Sequence, residues 1–201
     1  MTTSHTSRVS LIAHASTDAV RAAWFPDDEA LDRYGIAEVR EQFEPGRGSA
    51  RCSPVRRCVQ TASGLGYAVV PDETLLPWNH GAWGGRSLDD VSSTEPEDVA
   101  AWLSDPDFAP RGGESLTRLI ERVAAWLDAR AAEEQKQIVA VVDAALIRAA
   151  IVHAIGGWTP AFWRIDVGPL DRVELSGRDG VWTLRALRPH REAVSRRPIT
   201  S

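Results

Sequence analysis

An α/β fold built around a mostly parallel sheet is what this sequence predicts, on three observations. Segments with helical spacing alternate with short apolar runs, as in chains that cover a parallel sheet with helices. Ile138–Val142 is apolar throughout, as a central parallel strand buried on both faces should be. Near the amino terminus, an apolar run through Leu11 and Ile12 stops at Ala13-His14-Ala15, which presents His14 at the carboxyl edge of a sheet, where open α/β sheets place their ligands.

Each element follows in order. After the first strand, Ser16–Asp32 carries Arg21, Trp24, Phe25 and Pro26 without a clean period and reads as a long loop over the sheet edge, a kind of segment that is usually functional. From Asp28 to about Phe43, Leu31, Ile36, Val39 and Phe43 recur at roughly helical spacing until Pro45-Gly46 ends the run. Ser49–Cys52 is a short strand. Ser53-Pro54 then reads as an N-cap followed by a first-turn proline, opening a helix to about Leu65 with Arg56 and Arg57 in its first turn. Tyr67–Val70 is a third strand, and Pro71 to Gly85 is a loop rich in Trp, Gly and Asn. Acidic amphipathic helices follow around Leu88–Ser92 and Glu95–Leu103, and a longer one from about Leu116 to Ala132. Asp143 ends the late strand and a helix begins at Ala144. Leu170–Leu175 and Val181–Leu187, joined at Arg178-Asp-Gly180, read as a hairpin closing the sheet. The domain is expected to span 1–188, with 189–201 as a disordered tail.

Composition narrows the function. At 201 residues and 43% hydrophobic content, the chain suits one domain with a sizeable core. A net charge of −5 with interleaved signs argues against nucleic-acid binding. Cys52 and Cys58 have neither a metal-ligand nor a disulfide-framework spacing, so a reducing, cytoplasmic setting is expected and no metal site. The sequence lacks a signal-peptide pattern and the apolar run of about 18 residues that a membrane span needs, so a soluble, unprocessed protein is expected.

Four separated motifs carry a resemblance. They are Leu11-Ile-Ala-His-Ala15, Ser53-Pro-Val-Arg-Arg-Cys-Val-Gln-Thr-Ala62, Gly81-Ala-Trp-Gly-Gly85 with Gly112-Gly-Glu-Ser115, and Val141-Val-Asp-Ala-Ala-Leu-Ile-Arg148. In this order the sequence resembles the histidine phosphatase superfamily, with its phosphoglycerate mutase-like three-layer α/β/α sandwich. The resemblance implies that His14 stands where the family has its phosphoryl-accepting histidine, and Arg57 where it has an arginine four residues before Thr-Ala. Elsewhere the family pattern is lost. Ala13 replaces an arginine, Ala15 a glycine, Val20 a loop asparagine, Pro77 the proton-donating acid, and Asp143-Ala144 a His-Gly pair.

Those departures weaken a phosphoryl-transfer site, which works through fixed positive charge and donors around the phosphate oxygens. At an effective dielectric near 20, a carboxylate about 4 Å from a single negative charge costs roughly 4 kcal/mol. The expectation is therefore a repurposed enzyme using His14 and Asp143 as acid and base on a non-phosphate small molecule, in a lyase, cyclase, isomerase or hydrolase reaction of a biosynthetic kind, without a cofactor. Arg57 joins the catalytic set, and Arg21, Trp78, His80, Trp83, Glu114 and Ser115 are the candidate substrate-binding residues. A divergent phosphomonoesterase with His14 as nucleophile is the alternative, and a pseudoenzyme that binds a ligand or protein is a third reading. Asp143 also suits a helix cap, and Arg57 a structural partner for it. Trp102, Trp126, Trp158, Trp163 and Trp182 read as core, Arg148 as structural, and a homodimer is the default association.

Overall fold

The computed structural model describes residues 6–131, 133, 137–178 and 180–190. Its centre is a six-stranded sheet in the order β3-β2-β4-β1-β5-β6. The strands are β1 (Ser7–Ala13), β2 (Ser49–Cys52), β3 (Ala68–Pro71), β4 (Gln137–Val142), β5 (Arg172–Arg178) and β6 (Val181–Arg188). The first four run parallel, and β5 and β6 form the antiparallel hairpin expected from the sequence.

Alternation along the central strands produces three layers. Val9, Leu11 and Ala13 of β1 and Ile138, Ala140 and Val142 of β4 pack on one face with α6 (Leu116–Ala131) and α7 (Ala144–Ala154). Ile12 and Val141 point the other way, against Val39 of α2 (Arg33–Glu41) and Cys58 and Ala62 of α3 (Arg56–Gly64). A residue pair one step apart in a strand faces opposite sides, so an apolar run buries both faces of the sheet.

Register then positions the site. Ala13 pairs with Val142 and Cys52 with Val141, so β1, β4 and β2 stop at one level of the carboxyl edge. The residues that follow, His14 and Asp143, emerge side by side, with the His14 amide bonded to the Val142 carbonyl at 3.0 Å.

Several local expectations are corrected. The Ser16–Asp32 segment contains a one-turn helix, α1 (Asp18–Arg21), capped by Thr17, and α2 starts at the Asp32 cap rather than near Asp28. The α3 helix begins at Arg56, beyond the expected Ser53 cap; the Arg56 amide is instead satisfied by Asp28 Oδ1 at 2.8 Å, from a loop 28 residues away. The acidic helices are α4 (Leu88–Thr94) and α5 (Pro96–Ser104), and short 3₁₀ turns form at Glu73–Leu75, Gly81–Trp83 and Thr159–Arg164. Trp158 is not core, being 70% exposed, whereas Trp102, Trp126 and Trp182 are buried and Trp163 packs at the core edge. Of the expected tail, residues 191–201 lie outside the described residues.

Candidate active site

His14 is 5% exposed, and its ring is engaged at both nitrogens, Nδ1 by the Ala15 carbonyl and Nε2 by Asp143. Nδ1 lies 2.8 Å from the Ala15 carbonyl, which can only accept, so Nδ1 carries the proton and Nε2 faces inward. The Ala15 amide in turn donates to Thr61 Oγ1 of α3 at 3.0 Å, tying the end of β1 to the helix that carries Arg57.

Asp143 has two tasks on its two oxygens. Oδ1 accepts the Ala145 amide at 3.1 Å and caps α7. Oδ2 sits 3.5 Å from His14 Nε2 and 3.1 Å from Arg57 Nη2. The cap and the site partner are thus one residue. Burial alone would raise this carboxyl, yet the bond and charge of His14, the Arg57 guanidinium and the Ala145 amide together hold it well below the usual carboxylate range.

Arg57 is fully buried, with acceptors on both terminal nitrogens and, among the described residues, none on Nε. Nη1 donates to the Asp27 carbonyl at 2.6 Å and to Glu29 Oε2 at 3.4 Å, while Nη2 takes Asp143. Burial would lower its pKa, but Asp143 and Glu29 outweigh that and raise it, so the guanidinium is a fixed positive charge. With two carboxylates around one arginine, the cluster offers an incoming anion less net attraction than a bare arginine would.

Beside this cluster opens a cavity of about 250 Å³, walled by Phe25, Trp78, His80, Trp102, Phe162 and Trp163, with Asp143 on its lining. His80 packs between Phe25 and Trp78, tilted against both, with ring centroids 4.9 Å away in each case. Burial, aided by the Arg57 charge and opposed by that of Asp143, pushes its pKa down to about 4.

The structure thus brings His14, Asp143, Arg57, His80 and Trp78 together, and places the other candidates elsewhere. Trp83 is buried in the core and donates its indole N–H to Glu95. Arg21 lies half-exposed over the Tyr34 ring at 4.2 Å, 3.7 Å from Asp32, on a different depression of the surface. Glu114 pairs with Arg122 at 2.7 Å and lines a separate cavity of about 810 Å³ with Arg118 and Arg130; Ser115 Oγ accepts the Arg118 amide at the start of α6. Glu29, Thr61, Phe25, Trp102, Phe162 and Arg148 belong to the site or its walls without having been singled out for it. Glu29 sits in a segment with no period, and the aromatic residues obey the same spacing as ordinary core, so only Thr61, within the second motif, and Arg148, at the end of the fourth, carried a sequence signal.

A histidine and an arginine held at the carboxyl edge of a mostly parallel sheet, in three layers, define a class of α/β proteins in which that edge handles the ligand. The chain belongs to the histidine phosphatase superfamily, branch 1, whose sequence profile it matches over residues 10–189. It is 29% identical over 117 residues to phosphoserine phosphatase 1 of Hydrogenobacter thermophilus, covering 55% of this chain and 56% of that protein. A bifunctional protein of Mycobacterium tuberculosis is 35% identical over 75 residues, 35% of this chain and 21% of its own length. The chain therefore spans about half of the first relative and about a fifth of the second. Among solved structures, a mycobacterial glucosyl-3-phosphoglycerate phosphatase with VO3 superposes at a TM-score of 0.76 with 24% identity, covering 92% of this chain and 100% of that one. A putative alpha-ribazole-5'-P phosphatase of Escherichia coli superposes at 0.77 with 23% identity, covering 91% and 96%. These structures share the fold.

The relatives overturn the expectation of acid–base chemistry on a non-phosphate substrate, since the protein matched over half its length is a phosphatase. Asp143 is bonded to Arg57 and to its helix and stays ionised, so it has no proton to give. Among the described residues, no helix is long and apolar enough to cross a membrane, and no three His, Cys, Asp or Glu side chains are grouped to hold a metal ion.

Proposed function

We propose that the protein is a divergent phosphomonoester hydrolase in which His14 Nε2 accepts the phosphoryl group. The observation that carries this reading is the bond from His14 Nδ1 to the Ala15 carbonyl, which leaves Nε2 as the nitrogen with an available lone pair when the ring is neutral. That nitrogen attacks phosphorus, and the bond between phosphorus and the ester oxygen breaks. The leaving oxygen takes a proton from His80, because Asp143 is ionised and His80 lines the adjoining cavity. Water then attacks the phosphohistidine, returns a proton to His80 and releases phosphate.

Arg57 supplies the positive charge, and Asp143 is the handicap. Its Oδ2 lies between His14 and Arg57, so an incoming phosphoryl group meets a carboxylate at close range. The reading therefore implies slow turnover with a preference for the monoanion of the ester, which prevails below a pH of about 6. Acid also protonates His80, so activity rises as pH falls toward 5.

Hydrolysis of an aryl phosphate across pH 4 to 9, with His14→Ala as the blank, tests this directly. A rate that rises on the acid side, vanishes with His14 and leaves an acid-labile phosphoryl group on the wild-type protein supports the proposal. A rate equal to that of His14→Ala at every pH refutes it.

A further inference from the structure

The cavity beside Asp143 contains more unsatisfied polar atoms than an apolar hole should. Buried polar atoms are nearly always hydrogen-bonded, and one left alone costs roughly 1–3 kcal/mol. Three such atoms, His80 Nδ1, Trp102 Nε1 and Arg148 Nε, are buried without a partner, and all three residues line this one cavity. Two of them, the indole and guanidinium nitrogens, can only donate. Around them stand flat apolar surfaces: Phe25, Trp78, Phe162 and Trp163 on the walls, with the Arg148 guanidinium 5.9 Å from the Phe162 ring centre. Exposed Trp24 and Leu88 form its rim.

From this we infer that the cavity is the subsite for the alcohol part of the substrate, and that this part is a planar aromatic group carrying hydrogen-bond acceptors such as a ring carbonyl. The inference rests on the phosphomonoesterase reading and specifies its substrate class. Aromatic walls select a flat ring, and the donors select acceptors on its edge over a plain hydrocarbon. Size agrees. An apolar cavity of about 150 Å³ holds benzene, so 250 Å³ suits one ring or two fused rings and excludes a large sugar or a peptide. Because Asp143 lines the cavity and also contacts His14 and Arg57, a ring seated there carries its ester oxygen toward Nε2 and passes His80 on the way.

Calorimetric titration with two alcohols of the same outline separates the contributions. 4-Methylumbelliferone has a ring carbonyl, and 2-naphthol does not. The wild-type protein is expected to bind the first roughly 10-fold more tightly, the value of one hydrogen bond to a charged donor. Arg148→Met should erase that preference. Ala145→Leu, which extends a side chain into the cavity, should weaken both alcohols, and thermal melts check that each variant folds. Equal affinity for the two alcohols, or affinities untouched by both substitutions, overturns the inference. Hydrolysis of the two corresponding phosphates and of 2-glycerol phosphate is followed in parallel. Hydrolysis of all three at similar efficiency, with no alcohol bound, refutes the subsite and leaves the phosphatase reading intact. Alcohol binding with the expected preference and no hydrolysis of any ester supports the subsite as a ring-binding site and refutes phosphoryl transfer.

Discussion

His80 makes the stability of this protein depend on pH in a way that can be worked out in advance. Its pKa falls from an ordinary 6.5 to about 4 because the ring is buried among Phe25, Trp78 and Trp102. The folded state thus resists protonation that the unfolded state accepts, and stability rises with pH wherever the unfolded chain binds more protons. The loss begins as pH falls through 6.5 and is complete below about 4. Each pH unit between the two values is worth about 1.4 kcal/mol, so His80 accounts for about 2 kcal/mol of destabilisation between pH 7 and pH 4.5. Asp143 works in the same direction but lower on the scale: its depressed pKa contributes stability that is present above about pH 4 and lost only as pH falls below it. Its effect therefore stays out of that window. Urea unfolding at pH 7.0 and 4.5 measures the difference for the wild type and for His80→Asn, which cannot titrate. The substitution lowers stability at both pH values by removing ring packing, so the informative quantity is the change between them. The wild type should lose about 2 kcal/mol more than the variant. Equal losses would refute the buried, neutral His80.

Other consequences follow from the same contacts. Arg57→Met leaves Asp143 and Glu29 without their buried counter-charge and should cost roughly 3–5 kcal/mol, a fall of about 10 °C in the melting temperature, with partial recovery when Asp143→Asn is added. Asp143→Asn alone keeps a capping side chain but removes the carboxylate between His14 and Arg57, so orthovanadate should bind at least about 10-fold more tightly by calorimetry; unchanged binding would show that Oδ2 does not face the anion. At Gly81, φ is +54° and an added Cβ would lie 2.3 Å from the Arg111 carbonyl and 2.5 Å from the Gly113 amide. Gly81→Ala should therefore displace the loop that holds His80 and cost more than about 2 kcal/mol in urea unfolding.

The legible parts of this protein were those that local pattern decides. The β1 and β4 runs, the hairpin and the helix that carries Arg57 depend on apolar spacing and turn residues, which a short window contains. The displaced parts depend on partners far away in the chain. Ser53 looked like a cap because capping is inferred from neighbours, yet Asp28 reaches the same helix start from a loop. Trp158 has the spacing of a core residue, but among the described residues no layer covers it. Glu114 and Ser115 stand in a motif shared with the family and still face a different cavity, because Arg122 and the start of α6 claim them.

By itself the sequence determined the layered α/β architecture, the family, and the meeting of His14, Arg57 and Asp143 at one edge, since strand alternation and motif order carry that information. Only the tertiary structure decided how the charges in that site are spent. Asp143 is divided between a helix cap, a histidine and an arginine; Glu29 joins from a loop with no pattern; and His80 is kept neutral by aromatic residues from three separate segments. The physical reason is that burial and charge act over a few ångströms in space, whatever the separation along the chain.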